Sequence, residues 1–251
     1  EMGEWISANC ERPGTGSAGG YRAGWVWDWS QMSWVEHGTS TEHNIDLLAA
    51  FSALYRVTGT STWQARADHA RAFVESMWEP EAGHFYAGVD PDGTLSEVNV
   101  LDVQAWGALV FANEPYWGGL DWAGENLSAD GVRFDFNDDL DGVWYEGTAH
   151  MAAAYATSGQ YQKAEASLAV LRDAQVSEAY ADGRGIAAAD TYGLTTGFDW
   201  QYYDRLSLAA TSWFIFAEQR YNPFAAHVEG PCLIRREEYA DGVVVTIYDA
   251  N

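Results

Sequence analysis

A chain of 251 residues, 47% apolar and carrying 13 Trp, 14 Tyr and 10 Phe, has ample material for one large core and is not a disordered segment. Its formal charge of -24 repels nucleic acid and anionic lipid, which sets both aside as partners. No apolar run approaches the ~18 residues that a membrane span requires, so no membrane insertion is expected.

Lys163 is the one lysine, and every other cation is Arg. An acid-rich, Lys-poor surface stays soluble where charge is screened, which fits a salty or extracellular setting. A neutral sugar would not be repelled by it; a polyuronate would be, unless Arg side chains line the site. The opening Glu1-Met2-Gly3-Glu4-Trp5 lacks the charged start and apolar stretch of a signal peptide and reads as a mature or trimmed chain. Cys10 and Cys232 lie near opposite ends. They either tie the termini in a disulfide, as an oxidising compartment allows, or stay as two buried thiols.

In chain order, the segment before residue 38 is rich in Gly, Ser and Trp and reads as irregular. Helical periodicity then begins: Ile45, Leu48, Phe51, Leu54 and Tyr55 recur at three- and four-residue spacings from Thr39 to Thr58, ending at Gly59. Trp63 to Trp78 forms a second helix, with Ala67, Ala70, Phe73, Val74 and Met77 on its apolar side and Pro80 after it. Residues 79–98 read as a hairpin or long loop. Helices follow at 101–113 and 119–128, an aromatic and acidic loop at 131–145, and helices again at 146–157, 160–175 and 199–219. Gly242 to Tyr248 reads as one strand.

The order is helix pair, decorated loop, helix pair, decorated loop. Helices joined by short turns make antiparallel hairpins, and hairpins stack as a solenoid or close as a ring. The expectation is an all-α array of helical hairpins over residues 1–224, its first 38 residues irregular, followed by a tail over 225–251 holding a strand. The aromatic loops fall before the first helix of each pair, which puts a polar, Trp-rich rim around one end.

Four stretches carry a resemblance. They are Ser40-Thr41-Glu42-His43-Asn44-Ile45-Asp46, Leu101-Asp102-Val103-Gln104-Ala105-Trp106-Gly107, Trp144-Tyr145-Glu146-Gly147-Thr148-Ala149 and Gly197-Phe198-Asp199-Trp200-Gln201-Tyr202-Tyr203. Each resembles a helix start of the six-hairpin (α/α)6-toroid glycosidases. Trp213-Phe214-Ile215-Phe216-Ala217-Glu218, with Tyr221-Asn222-Pro223-Phe224, is similar to the close of such toroids. The resemblance covers about residues 38–224. Such toroids are usually larger, so the ring here is either open or short of its N-terminal hairpins.

The resemblance implies hydrolysis of a glycosidic bond in a central cleft, in most such families with inversion. That chemistry uses two carboxyl groups roughly 6.5–9.5 Å apart, one protonating the leaving oxygen and one activating water. Flat aromatic faces for sugar rings would come from Trp25, Trp27, Trp29, Trp106, Trp144 and Trp200.

Glu42 is the first choice for general acid, because it opens a helix with Asp46 one turn along the same face, and a neighbouring carboxylate raises one pKa of a pair. The competing reading is a capping box, Thr39-x-x-Glu42. Asp102 and Glu146 sit at equivalent helix starts, either as participants or as complements to the helix dipole. Asp199, beside Trp200, Tyr202 and Tyr203, is a candidate water-activating base or a simple cap, as is Asp204. His43 would touch substrate; His43 and His150 lack metal-ligand spacing and read as satisfied, partly buried imidazoles.

No cofactor is expected. One calcium reading stays open: Asp135, Asn137, Asp139, Asp141 and Glu146 fall at positions 1, 3, 5, 7 and 12 of the calcium-loop pattern, with Leu140 where position 6 calls for Gly. The alternative is a solvated acidic loop.

The hydrolase competes with two other readings. A polysaccharide lyase or sugar epimerase would pair Tyr202 or Tyr203 with a His such as His43 for proton transfer. A lyase would also need Arg in the cleft, whereas Arg56, Arg66, Arg71, Arg172, Arg235 and Arg236 fall within helices or in the tail. A non-catalytic carbohydrate-binding or assembly module would use the tail strand to extend a neighbour's sheet. The hydrolase of a neutral saccharide is the reading favoured here, with oligomeric state left open.

Overall fold

The computed structural model describes residues 1–225 and the strands Leu233–Tyr239 and Gly242–Tyr248. Its helices are α1 (Met2–Cys10), α2 (Thr41–Thr58), α3 (Ser61–Ser76), α4 (Leu101–Phe111), α5 (Gly118–Asn126), α6 (Tyr145–Thr157), α7 (Tyr161–Ser177) and α8 (Leu208–Glu218). The bounds of α2 have local causes. The Ser40 hydroxyl accepts the His43 N–H at 3.3 Å at its start, and Gly59 takes a left-handed φ of 68° at its end, its N–H returned to the Tyr55 carbonyl.

Burial sorts the helices into inner and outer. Every residue of α4 is buried, as is α6 from Tyr145 to Tyr155 apart from Glu146. A helix buried all round has no face to give to water, so these two stand at the centre. The inner helices follow one another as α2, α4, α6, α8, and α3, α5 and α7 pack outside their hairpin partners. The result is an arc of helical hairpins, α2 and α8 at its two ends. On α8, Ala210, Trp213, Phe214 and Ala217 face inward, while Leu208 and Ile215 remain exposed.

Close approach is bought at two glycines. A methyl on Gly147 would lie 2.1 Å from the Trp144 ring and 2.5 Å from Leu101, and one on Gly107 would lie 2.4 Å from Phe85. Neither position has room for a side chain.

The N-terminal segment departs from the irregular reading. Met2–Cys10 is helical, with Ile6 and Cys10 packed on the core. Its apolar stripe spans little more than two turns, too short for periodicity to announce it. Trp25–Asp28 and Ser33–Glu36 form an antiparallel hairpin in which Trp27 faces Trp34. Buried Asn44 fastens this segment to α2, accepting the Tyr21 N–H at 2.8 Å and donating to the Tyr21 and Ser40 carbonyls at 2.9 and 2.8 Å.

The helix expected over 199–219 starts only at Leu208. Gln201–Tyr202 pairs with Leu194–Thr195, and Leu206–Ser207 with Ile186–Ala187. Aromatic residues around 200–203 suit a strand as well as a helix, and these pairings decide between them. The Ser207 hydroxyl then caps α8, accepting the Ala210 N–H at 3.2 Å.

Gly242–Tyr248 is a strand, antiparallel to Leu233–Tyr239. Cys232, and with it any pairing to Cys10, lies outside the described residues. Among the described residues no helix is long and apolar enough to cross a membrane.

Candidate active site

The starts of α2, α4 and α6 bring Glu42, Asp102 and Glu146 to one end of the arc, each in the first turn of its helix. Helix N-termini carry partial positive charge, which softens the gathering of like charges there. A cleft of about 290 Å³ opens over this end, walled by Glu42, His43 and Asp102, by His37 and Asp90, and by the rings of Phe136, Phe198 and Trp200.

Asp102 lies deepest, at 6% exposure, its carboxylate accepting the Val103 N–H at 2.6 Å. Burial first, then the charge of Glu42, hold its carboxyl well above the usual range; Glu146 and Asp46 add to this, and the Val103 bond opposes it. Burial also raises Glu42, with Glu146 contributing. Asp46 is exposed at the surface, yet the protein crowded around it pushes it up to about 6, with Glu42 adding and His43 opposing. Burial raises the Tyr202 hydroxyl, and the charges of Glu146, Asp102 and Glu42 reinforce it in that order. That hydroxyl therefore sits among the same three carboxylates. Asp102 and Glu42, so placed, each favour holding a proton over ionising.

The capping-box reading of Glu42 fails on geometry. The N-cap is Ser40, and the Thr39 hydroxyl instead accepts from Arg12 at 3.0 Å. Glu42 is thereby left to the cleft.

His150, one turn along α6 from Glu146, is fully buried rather than partly buried. Its Nε2 lies 3.7 Å from Glu146 Oε1, and neither ring nitrogen has a hydrogen-bond partner among the described residues. The rings of Trp106, Trp144 and Trp213 box it in at centroid distances of 5.2, 5.2 and 4.3 Å. Burial lowers its proton affinity, with Glu146 opposing, so it stands neutral behind the carboxylate. An unfolded imidazole binds a proton below about 6.5 while this one resists, so stability is lost as pH falls through that range. His150→Gln is expected to flatten that acid-side loss in thermal unfolding scans. An unchanged acid slope would contradict a neutral His150.

The other expected site residues divide. Trp200 is 42% exposed on the cleft wall beside Phe198. Asp199, between them, is exposed and does not line the cleft. Tyr202 stacks on Trp144 at 5.3 Å, while Tyr203 packs on Tyr192 at 4.8 Å away from the cleft. Trp106 and Trp144, read as sugar platforms, are core residues at 8% and 2% exposure, because Trp106 lies within buried α4 and Trp144 is the N-cap of α6. Trp27 and Trp29 stand on the N-terminal hairpin. His37, Asp90, Phe136 and Phe198 were not anticipated on the wall; of these, only Asp90 in Asp90-Pro91-Asp92-Gly93 carries a local turn signal.

In the acidic loop, carboxylate oxygens of Asp135, Asp139 and Asp141 lie within 4.8 Å of one another. Leu140 takes the left-handed turn itself, at φ 54°. The loop's own donors occupy these acids. Asp135 accepts the Phe136 and Gly142 N–H groups at 2.7 and 3.3 Å, Asp141 accepts the Thr195 N–H at 3.1 Å, and Asp139 accepts the Thr195 hydroxyl. Asn137 accepts the Asp139 N–H at 3.0 Å. Burial pushes Asp135 up to about 7. Glu146, the twelfth-position ligand of the calcium pattern, stands in the first turn of α6.

Helical hairpins set side by side, with their inner helices in an arc, have the fold of an (α/α) toroid. No protein-family model and no curated protein sequence matches the chain. Solved structures do resemble it. A cellobiose 2-epimerase from Bacillus thermoamylovorans B4167 superposes with a TM-score of 0.52 at 13% identity, over 88% of this chain and 65% of that one. A cellobiose 2-epimerase from Spirochaeta thermophila DSM 6192 gives 0.51 at 14% identity, over 74% of this chain and 54% of that one. A polysaccharide lyase gives 0.50 at 14% identity, over 74% and 61%. The likeness is one of fold, and the chain spans between 54% and 65% of those chains.

Proposed function

We propose that the protein is a secreted glycoside hydrolase that cuts a neutral poly- or oligosaccharide in the cleft over α2, α4 and α6. The observation that carries this reading is the burial of Asp102 beside the shallower Glu42 on the cleft wall, which holds the Asp102 carboxyl protonated next to a second carboxyl. Glycosidic cleavage needs that division: one group protonates the leaving oxygen and another takes a proton from the attacking water. Depth favours Asp102 as the donor and the shallower Glu42 as the water-activating base, in place of the acid role that its neighbour Asp46 suggests for Glu42 in the sequence. Trp200 and Phe198 offer flat faces to a sugar ring. A neutral substrate fits because no Arg or Lys lines the cleft among the described residues, which also speaks against a uronate-cleaving lyase. Folds of this kind in two cellobiose 2-epimerases and a polysaccharide lyase support a carbohydrate substrate.

A second reading, sugar epimerisation, draws on the two imidazoles of the wall, His37 and His43, as a proton-transfer pair. Incubation with neutral glucans, mannans and xylans separates the two. The hydrolase releases reducing ends, and Glu42→Gln lowers that release by on the order of 10²-fold or more. An epimer formed from a disaccharide without new reducing ends would replace the hydrolase with the epimerase. Binding without any reaction would make the protein a carbohydrate-binding module.

A further inference from the structure

Outside the cleft, the hairpin Trp25–Asp28/Ser33–Glu36 exposes aromatic surface that the core does not claim. Trp25, Trp29 and Trp34 are 46%, 79% and 66% exposed. Trp25 lies opposite Glu36, and Trp27 opposite Trp34. Directly paired residues share a face of a two-stranded ribbon, as do residues two apart, so Trp25, Trp27 and Trp34 stand on one side and Val26 and Val35 on the other. Trp27 meets Trp34 and Trp29 edge-on at 5.6 and 6.1 Å. These contacts hold the rings in place and leave Trp29 and Trp34 exposed.

The base of the ribbon adjoins the cleft. Ala23 and His37, which flank the two strands, line the cleft wall. The Ala23 N–H donates to the Gly38 carbonyl at 2.9 Å and the His37 N–H to Gly24 at 3.0 Å, so the ribbon leaves the wall without a break. At its base Arg22 lies 5.8 Å above the Trp25 ring and bonds Glu36 at 3.0 Å, fixing the direction in which the ribbon projects.

We propose that this hairpin is a binding platform for successive sugar units of a neutral polysaccharide chain running out of the cleft. Indole faces match the apolar faces of pyranose rings, while polar atoms at the strand edges remain for hydroxyl groups. A formal charge of -24 repels anionic membranes, nucleic acids and a second copy of the chain, and the indole faces themselves suit the apolar faces of an uncharged sugar. The proposal rests on the hydrolase reading for the class of ligand, but not for the existence of the platform.

The test is calorimetric titration of the Glu42→Gln protein, which removes turnover, with disaccharides and hexasaccharides from cellulose, mannan and xylan. At least one hexasaccharide is expected to bind about tenfold tighter than its disaccharide, and Trp34→Ala to erase that gain while leaving the disaccharide affinity alone. Trp25→Ala, at a second position on the same face, should act in the same direction. Because both side chains are exposed, thermal unfolding should not change. Equal affinities for both lengths, a length dependence unmoved by either variant, or no binding of any probe would overturn the platform. So would sugar-free self-association abolished by Trp34→Ala, which would assign the face to a second copy. Platform-dependent binding with no reducing ends released by the parent would remove the hydrolase and leave the platform. Released reducing ends with no length dependence would do the reverse.

Discussion

Asp102→Asn is expected to abolish turnover and, at neutral to alkaline pH, to make the folded protein more stable. Both effects come from the same buried carboxyl. Its proton affinity is raised in the folded state, by burial first and by Glu42 next. In the unfolded chain it ionises near the ordinary value of about 3.9. Between those two values the folded protein holds a proton that the unfolded chain has released, so stability falls as pH rises. The contribution is complete below the unfolded value and is lost as pH climbs through the folded one. Asparagine keeps the shape and cannot ionise, so it removes that slope. Glu42 and Asp46 are raised as well and leave the variant a residual slope of the same sign. Loss of the proton donor costs on the order of 10²–10⁴-fold in rate. Unfolding scans of parent and variant from acid to alkaline pH decide the matter. Superposable curves would show that Asp102 does not hold its proton in the folded state.

Gly147→Ala should lower stability sharply, although alanine is the better helix former by about 1 kcal/mol. The new methyl would sit 2.1 Å from Trp144 and 2.5 Å from Leu101, closer than packed atoms tolerate. Trp144 is 2% exposed and stacks on Tyr202, so it cannot swing aside without moving a ring that faces the carboxylates. Overpacking of this kind costs about 1–3 kcal/mol and sometimes more, enough to outweigh the helical gain. At this chain length each kcal/mol moves the melting temperature by roughly 2–4 °C. Activity should fall with it, because Glu146 adjoins the displaced backbone. Gly124→Ala is the control: its methyl would meet only the Tyr155 hydroxyl at 3.5 Å, and there the propensity gain should win. Equal melting points for the two variants would contradict the close approach at Gly147.

Much of this arrangement is legible in the chain itself. Apolar spacing places α2, α3, α4, α6 and α7 within a few residues of their observed bounds, because each buries a stripe or a whole surface. The same spacing fails around 199–207, where cross-strand partners far away in sequence decide the conformation. It also passes over α1, whose few apolar residues gain meaning only against the core. For the site, helix-start acids point to Glu42, Asp102 and Glu146, but nothing local separates them from Asp199, which ends exposed. Trp106 and Trp144 show the opposite difficulty. An indole that packs a core and one that waits for a sugar read alike until neighbouring helices are in place.

The three acids come from three different hairpins, and no hairpin alone can desolvate its own. Asp102 and Glu42 gain their raised proton affinity only when α2, α4 and α6 dock. Between the unfolded and the raised values, that docking draws protons from solution. Assembly of the arc is a proton-binding reaction, and the uptake can be timed against the change in tryptophan fluorescence as the chain folds.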